Sequence, residues 1–401
     1  MKRQGQAYKT GGVTPAATGQ KIALVNLITR TALVHHLVPA VASNRNAMIV
    51  AFARALQGLG VGVDLFVAEE YRPAQAEETG VNIFYLPSKW RKVFRPSCIP
   101  FTPALVGRLK GQYTTVVCSE LFQASTVLAV IAKMTGGREI QLVVWQEMAA
   151  HQRMAGGLIS KFYHSVLVKY WLDRHIDLYI PRGELAGRFL LSQGISSEKI
   201  AAVIPHGIDP ARFYFDPASG KERYIFSPSR LVTAKGIDIL LKAFAIVSTD
   251  IADLKLVIQG DGPGYAGYVR LAGELGIRAK VEFCTDHISH DAMRVKYQKA
   301  LVTVIASRSD LVIFAAMESL ACGTPVVISD GADSHKDFLD GRGGIVFPVN
   351  DHFALARALL HILNDAQFQK AMALFALSKA KKYSNDHLAK VFKQAITPGG
   401  A

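Results

Sequence analysis

Phe226-Ser-Pro-Ser-Arg230-Leu-Val-Thr-Ala-Lys235-Gly236, Leu256-Val-Ile-Gln-Gly260-Asp-Gly262-Pro-Gly264 and Asp310-Leu-Val-Ile-Phe-Ala-Ala-Met-Glu318-Ser-Leu-Ala-Cys-Gly323-Thr-Pro-Val-Val327 follow one another in this order, and together they decide the fold. The first two read as a short apolar strand running into a turn. The third reads as a loop, a helix and a strand. Arg230, Lys235, Asp310 and Glu318 are the polar groups that a pocket for a nucleotide diphosphate requires. A guanidinium grips phosphate through paired hydrogen bonds and an ammonium adds a point charge. A carboxylate accepts from ribose hydroxyls, and glycine lets backbone N–H groups approach oxygen.

The spacing refines these roles. Asp310 and Glu318 are eight residues apart, which on a continuous helix puts them about 80° apart and two turns away from each other. They do not form a tight pair. Asp310 fits the loop before a helix, facing a sugar, and Glu318 fits the helix itself, facing the ribose. The helix start near Ile313, Phe314 and Ala315 then offers unpaired N–H groups to the diphosphate. Gly260 and Gly262 suit close backbone approach to the same ligand. Taken singly, Arg230 and Lys235 read first as solvated loop cations, and Glu318 reads equally well as a local cap or pairing residue. Gly260 to Gly264 superficially matches a dinucleotide fingerprint, but Tyr265 occupies the third glycine's place and Glu282 falls inside a strand, so a nicotinamide enzyme is disfavoured.

Working outward, the chain alternates strand and helix. Lys21 to Ile28, Val61 to Ala68, Val81 to Leu86, Thr115 to Cys118, Gln141 to Trp145, Asp177 to Ile180 and Ala201 to Ile204 read as strands. Between them lie helical patterns at Asn46 to Gln57 (with Ile49, Val50, Ala53 and Leu56 on one face), after Cys118, over Gly157 to Asp173, and at Glu184 to Gln193. A second series begins after Pro205. Its strands are Tyr224 to Ser227, Leu254 to Gln259, Val281 to Phe283, Val302 to Ile305, Pro325 to Ile328 and Ile345 to Phe347, with Ile237, Leu240, Leu241 and Phe244 lining a helix from Gly236 to Val247. Such alternation builds parallel sheets. The organisation expected is a flexible tail (1–20), an N-terminal Rossmann-like domain (21–204), a C-terminal domain (205–383) and a last helix (384–401), with Ser384 as its N-cap.

Composition agrees. At 401 residues and 50% hydrophobic content the chain suits two domains with ample core. Cys98, Cys118, Cys284 and Cys322 have neither metal-knuckle nor redox spacing, which suits a reducing cytoplasm. No apolar h-region follows the basic start, and no run approaches a spanning helix of ~18 residues. The net charge is +14, and residues 1–204 hold 23 Lys+Arg against 12 Asp+Glu, so most of the excess lies in the N-terminal half. An anionic surface or acceptor belongs on that side.

The ordered pieces from Arg230 to Val327 resemble the donor-binding half of the family 4 retaining glycosyltransferases (glycosyl transferases group 1), which have the GT-B fold. The family pattern is R-L-x-x-x-K-G, G-D-G-P, two acids separated by seven residues, and A-x-A-C-G-T-P-V-V. His206-Gly-Ile-Asp209 with Phe213 resembles the hinge, and Gly343-Gly344 through Asp351 the closing segment. The good match spans about residues 203–363. It implies two Rossmann-like α/β domains facing across a cleft, with the last helix returning to the first domain. It also implies a nucleotide-diphosphate-sugar donor with no further cofactor. By resemblance Arg230 and Lys235 bind the donor phosphates and help the nucleotide diphosphate leave, Glu318 binds the ribose, and Asp310 stands in for a Glu that contacts the sugar. Ile313 replaces a usual Gly.

The N-terminal half departs further. The loop Thr29 to Asn44 has no Gly where relatives show a Gly-Gly pair. Relatives place a His at the end of a mid-domain strand; here that strand ends Trp145-Gln146-Glu147, with His151 beyond. Glu147, His151 and, more weakly, Glu120 are the sugar or acceptor candidates. His35 and His36 lack partners at metal-ligand spacing, and no metal site is expected. Lys89-Trp-Arg-Lys-Val-Phe-Arg95 mixes four cations with two aromatics, as segments at anionic membrane interfaces do; Lys161-Phe-Tyr-His and Lys169-Tyr-Trp171 are similar. No nucleic-acid module surrounds them.

The function expected is sugar transfer from a nucleotide-diphosphate sugar to a glycan or lipid-linked acceptor hydroxyl, in surface polysaccharide, lipopolysaccharide or glycolipid synthesis. It would occur in the cytoplasm, with peripheral attachment to the inner face of the membrane. A non-catalytic sugar-nucleotide or glycan binder and a nucleotide-sugar epimerase on the same fold remain open alternatives.

Overall fold

A computed structural model describes residues 20–29, 38, 40–45, 47–136, 139–149, 163–309, 314–332, 339 and 344–397. Asp310, Ile313, His151, His35, His36, Gly343 and Lys161 lie outside these residues, as does most of the tail. The chain divides into two units. One comprises residues 1–182, 186–204 and 389–401; the other comprises 183–185 and 205–388.

The first unit is a six-stranded parallel sheet. Its strands are β1 (Lys21–Val25), β2 (Gly62–Ala68), β3 (Asn82–Leu86), β4 (Thr115–Ser119), β5 (Gln141–Gln146) and β6 (Leu178–Pro181), in the order β3-β2-β1-β4-β5-β6. β1, β2 and β5 are buried on both faces, as expected where crossover helices cover a parallel sheet. Helix α1 (Met48–Gly58) buries Ile49, Val50, Phe52, Ala53 and Leu56, the stripe read from the sequence. Helices α2 (Ala104–Leu109) and α3 (Ala124–Thr135) follow, then α4, which is π-wound over Tyr163–Leu172 and runs on through Asp173–His175, and α5 (Glu184–Ser192).

Ala201 to Ile204 is not a strand, contrary to its apolar pattern. Ala201 N–H donates to Tyr179 O and Ile204 N–H to Pro181 O, while Ala202 and Val203 face solvent. Two donors three residues apart break the two-residue ladder period, and Pro205 forbids continuation.

The second unit repeats the plan: β7 (Tyr224–Pro228), β8 (Lys255–Gln259), β9 (Val281–Cys284), β10 (Val302–Ile305), β11 (Val326–Ser329) and β12 (Gly344–Phe347), all parallel in the order β12-β11-β10-β7-β8-β9. Alternate residues of β7 feed the two faces. Ile225 packs with helix α6 (Ile237–Asp250) and its Leu240, Leu241 and Phe244. Tyr224 and Phe226 pack instead with Tyr297 of α8 (His290–Lys299) and with Met317 and Leu320 of α9 (Phe314–Ala321). The helix α7 (Tyr265–Glu274) lies between α6 and α8 in sequence, and α10 (His352–Asn364), α11 (Ala366–Lys382) and α12 (Asn385–Ile396) close the chain.

Ser384 caps α12, its Oγ accepting from His387 N–H at 3.2 Å. The later part of α12 belongs to the first unit. There Phe392 sits 5.3 Å from both Phe52 and Trp145, and the Trp145 indole donates to Ile204 O at 2.8 Å.

Candidate functional site

In the second unit β7 leads to β8 on one side, while β10, reached from the edge strand β9, lies on its other side, so the strand order reverses between β7 and β10. The ordinary ligand position of an open parallel sheet lies beyond the carboxyl ends of two such strands. The loop after β7 is Ser229 to Gly236; the one after β10 begins at Ala306 and leads to α9. Arg230, Lys235 and Glu318 all lie on these connections.

The basic turn is locked from behind. Thr233–Lys235 form one 3-10 turn, and Gly236 takes φ +63 before α6 starts. A Cβ on Gly236 would stand 2.0 Å from Ala306 O, so the two loops are pressed together at a point only glycine fits. Arg308, which the sequence reading passed over, completes the clamp. Its guanidinium donates to both carboxylate oxygens of Asp238 at 2.9 and 2.7 Å, to Thr233 O at 2.6 Å and to Asn350 Oδ1 at 2.8 Å. Its own amide donates to Ala234 O. The ion pair with Arg308 holds the Asp238 carboxyl below its usual range against the opposing effect of burial. Lys235 is half-buried. Arg230 is exposed, with no side-chain hydrogen bond or ion pair among the described residues.

The glycine-rich turn has partners within the protein. Gly260 N–H donates to Cys284 O, and Gly262 N–H to the Asp261 carboxylate at 2.7 Å. Cβ atoms at these positions would meet Ser229 O at 2.3 Å and Leu231 O at 2.6 Å. Leu231 N–H donates to Asp261 O and Gly264 N–H to Leu231 O. In this structure the glycines let the turn lie backbone to backbone against the loop carrying Arg230. They brace the basic turn.

Glu318 sits inside α9, and its Oε2 accepts from the buried Tyr297 hydroxyl at 2.8 Å. Burial pushes its carboxyl up to about 7, and the Tyr297 hydrogen bond only partly opposes this. Phe314 and Ala315, half-buried, open the same helix; the ring of Phe314 lies 5.2 Å from His206. The Ala-Cys-Gly-Thr-Pro run that follows is architectural. Gly323 takes φ +71 to end the helix. Thr324 Oγ1 donates to Tyr297 O, and Ser319 Oγ to Thr324 O. Lys221 donates to Thr324 Oγ1 and Ala300 O, and burial lowers its ammonium to about 8. The motif thus fixes the α8–α9 packing that sets Glu318 and Tyr297 face to face.

In the first unit the strand ends bring together two residues that the sequence left as separate candidates. Glu120 follows β4 with φ +77, a conformation rare outside glycine. Its carboxylate accepts from Glu147 N–H at 2.8 Å and from Met148 N–H at 3.2 Å. Burial and the Glu147 charge push its carboxyl up to about 7, against Arg182 and those two amides, which lower it. Arg182, at the end of β6 and also missed, is 5% exposed; it pairs with Glu147 at 2.9 Å and lies 4.1 Å from the centre of the Trp145 ring. Buried Gln146 accepts from Leu121 N–H and donates to Met148 O. A charged residue just past a buried strand was the available signal: Arg182 directly follows β6, and Arg308 stands three residues beyond Ile305 of β10. Among the described residues no group of three or more His, Cys, Asp or Glu is arranged to hold a metal ion.

Comparison with known proteins identifies the family and the fold. Residues 213–377 match the family model described as glycosyl transferases group 1. The chain is 30% identical over 311 residues to the GDP-mannose-dependent alpha-(1-6)-phosphatidylinositol monomannoside mannosyltransferase of Mycolicibacterium smegmatis, covering 72% of this chain and 78% of that one. It is 23% identical over 378 residues to the D-inositol 3-phosphate glycosyltransferase of Stackebrandtia nassauensis, covering 87% and 85%. Among solved structures, Anabaena HepE in complex with UDP and glucose matches with a TM-score of 0.69 at 15% identity, over 94% of this chain and all of that one (100%). Sucrose-phosphate synthase from Thermosynechococcus elongatus matches at 0.68 with 20% identity, over 94% and 98%. The fold is the GT-B type. The chain belongs to the glycosyl transferases group 1 family and is a glycosyltransferase.

Proposed function

We propose that this glycosyltransferase moves a hexose from a nucleotide-diphosphate sugar to a hydroxyl of a membrane-linked or surface-polysaccharide glycan, with retention at the anomeric carbon. What supports the reading is that a braced cationic turn and an acid-bearing helix both lie on the connections that follow β7 and β10, the neighbouring strands between which the strand order reverses. Arg230 and Lys235 stabilise charge on the departing diphosphate, an electrostatic role that needs no covalent step on the protein. The C1–phosphate oxygen bond breaks, the acceptor oxygen bonds C1 on the same face, and the acceptor proton passes to the leaving diphosphate. Tyr297 occupies one oxygen of Glu318 and leaves the other to accept from the ribose. By the family resemblance Asp310 contacts the sugar, and backbone N–H groups of Ile313 and of Phe314 and Ala315 at the start of α9 are offered to phosphate.

On the acceptor side, Glu147, held by Arg182 and Glu120, meets the incoming glycan, with His151 as a further contact. The names of the relatives support the substrate classes: GDP-mannose with a lipid-linked mannoside for one, and UDP with glucose for a solved structure. No metal or other cofactor takes part in this reading.

The test is a thermal-shift panel of nucleoside diphosphates followed by transfer to glycan acceptors, with the product's anomeric configuration read by NMR. One nucleotide sugar should give a retained-configuration product. A donor that is bound but never turned over, or one that is converted without acceptor, would replace this reading with a binder or an epimerase.

A further inference from the structure

We propose, on the reading that Glu147 meets the acceptor, that Trp145 is a positioning residue of the transfer reaction: its ring carries the Arg182 guanidinium and, through it, aims the Glu147 carboxylate. Trp145 and Gln146 close β5 opposite Ile180 and Pro181 of β6. Arg182 N–H then donates to Gln146 O at 2.7 Å. Glu147 and Arg182 are thus the first residues past two neighbouring parallel strands. The Arg182 guanidinium reaches both Glu147 and the ring two residues before it. It lies 4.1 Å from the centre of the Trp145 ring, while its Nη1 donates to Glu147 Oε2 at 2.9 Å. Nη2 adds a longer contact to Ser119 Oγ at 3.4 Å.

A guanidinium keeps its proton in a protein, and at 5% exposure Arg182 has given up most of its water. Such a charge needs compensation. Glu147 supplies an ion pair, and the indole face supplies the negative side of its quadrupole. The ring cannot turn away from this task. Trp145 is buried, Phe52 and Phe392 pack on it at 4.6 and 5.3 Å, and its indole N–H donates to Ile204 O at 2.8 Å. A ring held on three sides holds the guanidinium in one place, and that guanidinium draws the Glu147 carboxylate to one orientation.

The backbone beneath that carboxylate is set by a different group. Glu120 accepts from Glu147 N–H at 2.8 Å and from Met148 N–H at 3.2 Å. Glu120 therefore places the loop, while Trp145 and Arg182 place the side chain that stands on it. With 34% of its side chain exposed, Glu147 is open to an acceptor hydroxyl, whereas Trp145 is sealed in the core. Trp145 thus acts only through its neighbours, and small displacements of a group that orients a substrate are costly to turnover.

The test is a double-mutant cycle on the full chain, with GDP-mannose or UDP-glucose as donor and octyl α-mannoside or octyl α-glucoside as acceptor. Trp145→Leu should lower kcat/KM for the glycoside about tenfold or more, while the thermal shift given by GDP or UDP stays unchanged. In a Glu147→Ala background the same substitution should change kcat/KM by less than about twofold, because the side chain it aims is gone. Trp145→Phe keeps a face for the guanidinium and drops the indole N–H; it should melt lower yet transfer within about threefold of the wild type. Trp145→Met, also without a ring, makes the same comparison where Trp145→Leu does not fold. An equal loss with and without Glu147, or a Trp145→Phe variant as impaired as Trp145→Leu, would overturn the inference and leave Trp145 a core residue. Glu147→Ala with undiminished transfer, or a wild type that glycosylates neither acceptor, would overturn the acceptor reading and the role of Trp145 with it.

Discussion

Glu318→Gln should make the second unit more stable at alkaline pH while harming donor binding. Glu318 is half-buried on α9, and desolvation, only partly opposed by the hydrogen bond from the Tyr297 hydroxyl, pushes its carboxyl from the usual 4.5 up to about 7. A folded-state value raised above the unfolded one means that the fold prefers the protonated acid. The corresponding stability is fully present below about pH 4.5 and is lost as pH rises through about 7. Between pH 5 and pH 8 this linkage amounts to about 2–3 kcal/mol. Glutamine keeps an oxygen to accept from Tyr297 and has nothing to ionise. The stability difference between variant and wild type should therefore grow by that amount from pH 5 to pH 8, in favour of the variant. Urea unfolding at the two values, followed by hydrogen exchange of peptides from residues 224–329, measures it. The same difference at both values would refute the reasoning. A variant that loses relative stability at pH 8 would imply a cationic partner for Glu318 that this account lacks.

Arg230→Ala and Lys235→Ala should each abolish the stabilisation given by a nucleoside diphosphate, which at 100 times the dissociation constant is about 2.7 kcal/mol for the wild type; an undiminished thermal shift would remove the altered residue from the donor site. Arg308→Ala should cost about 1.5–3 kcal/mol by leaving Asp238 and Thr233 O unpaired, and should weaken nucleotide binding although Arg308 need not touch the ligand; Arg308→Lys, lacking the two-pronged geometry, should restore little. Gly236→Ala, whose Cβ would meet Ala306 O at 2.0 Å, should lower the melting temperature and nucleotide affinity together, whereas an unaffected protein would mean the two loops separate easily. Phe392→Ala removes the ring packed on Phe52 and Trp145 and should cost about 3–5 kcal/mol in chemical denaturation.

Much of the fold could be read because a doubly covered parallel sheet writes itself as short apolar runs separated by amphipathic helices. The stripes of α1 and α6 were legible for that reason. Helix α7 was not, because it buries only Ala272, so no apolar face marks it. Ala201 to Ile204 misled because an apolar run beside a strand pairs intermittently without forming a ladder. At the site, the identity of Glu318 was legible, but its pairing with Tyr297 was not, since these residues meet only through the packing of α8 on α9. Gly260 and Gly262 were recognised as positions of close approach, yet sequence cannot say whether a glycine yields to a ligand or to a neighbouring loop. Arg182 and Arg308 looked like ordinary surface charges because their partners, Glu147 and Asp238, lie 35 and 70 residues away.

The account rests on the carboxyl ends of β7 and β10 being the seat of the donor diphosphate. A crystal structure with the nucleoside diphosphate that gives the largest thermal shift tests this most directly. The account predicts phosphate oxygens within hydrogen-bonding distance of Arg230 and Lys235 and a ribose hydroxyl on the free oxygen of Glu318. A nucleotide bound elsewhere, with those three side chains untouched, would contradict it.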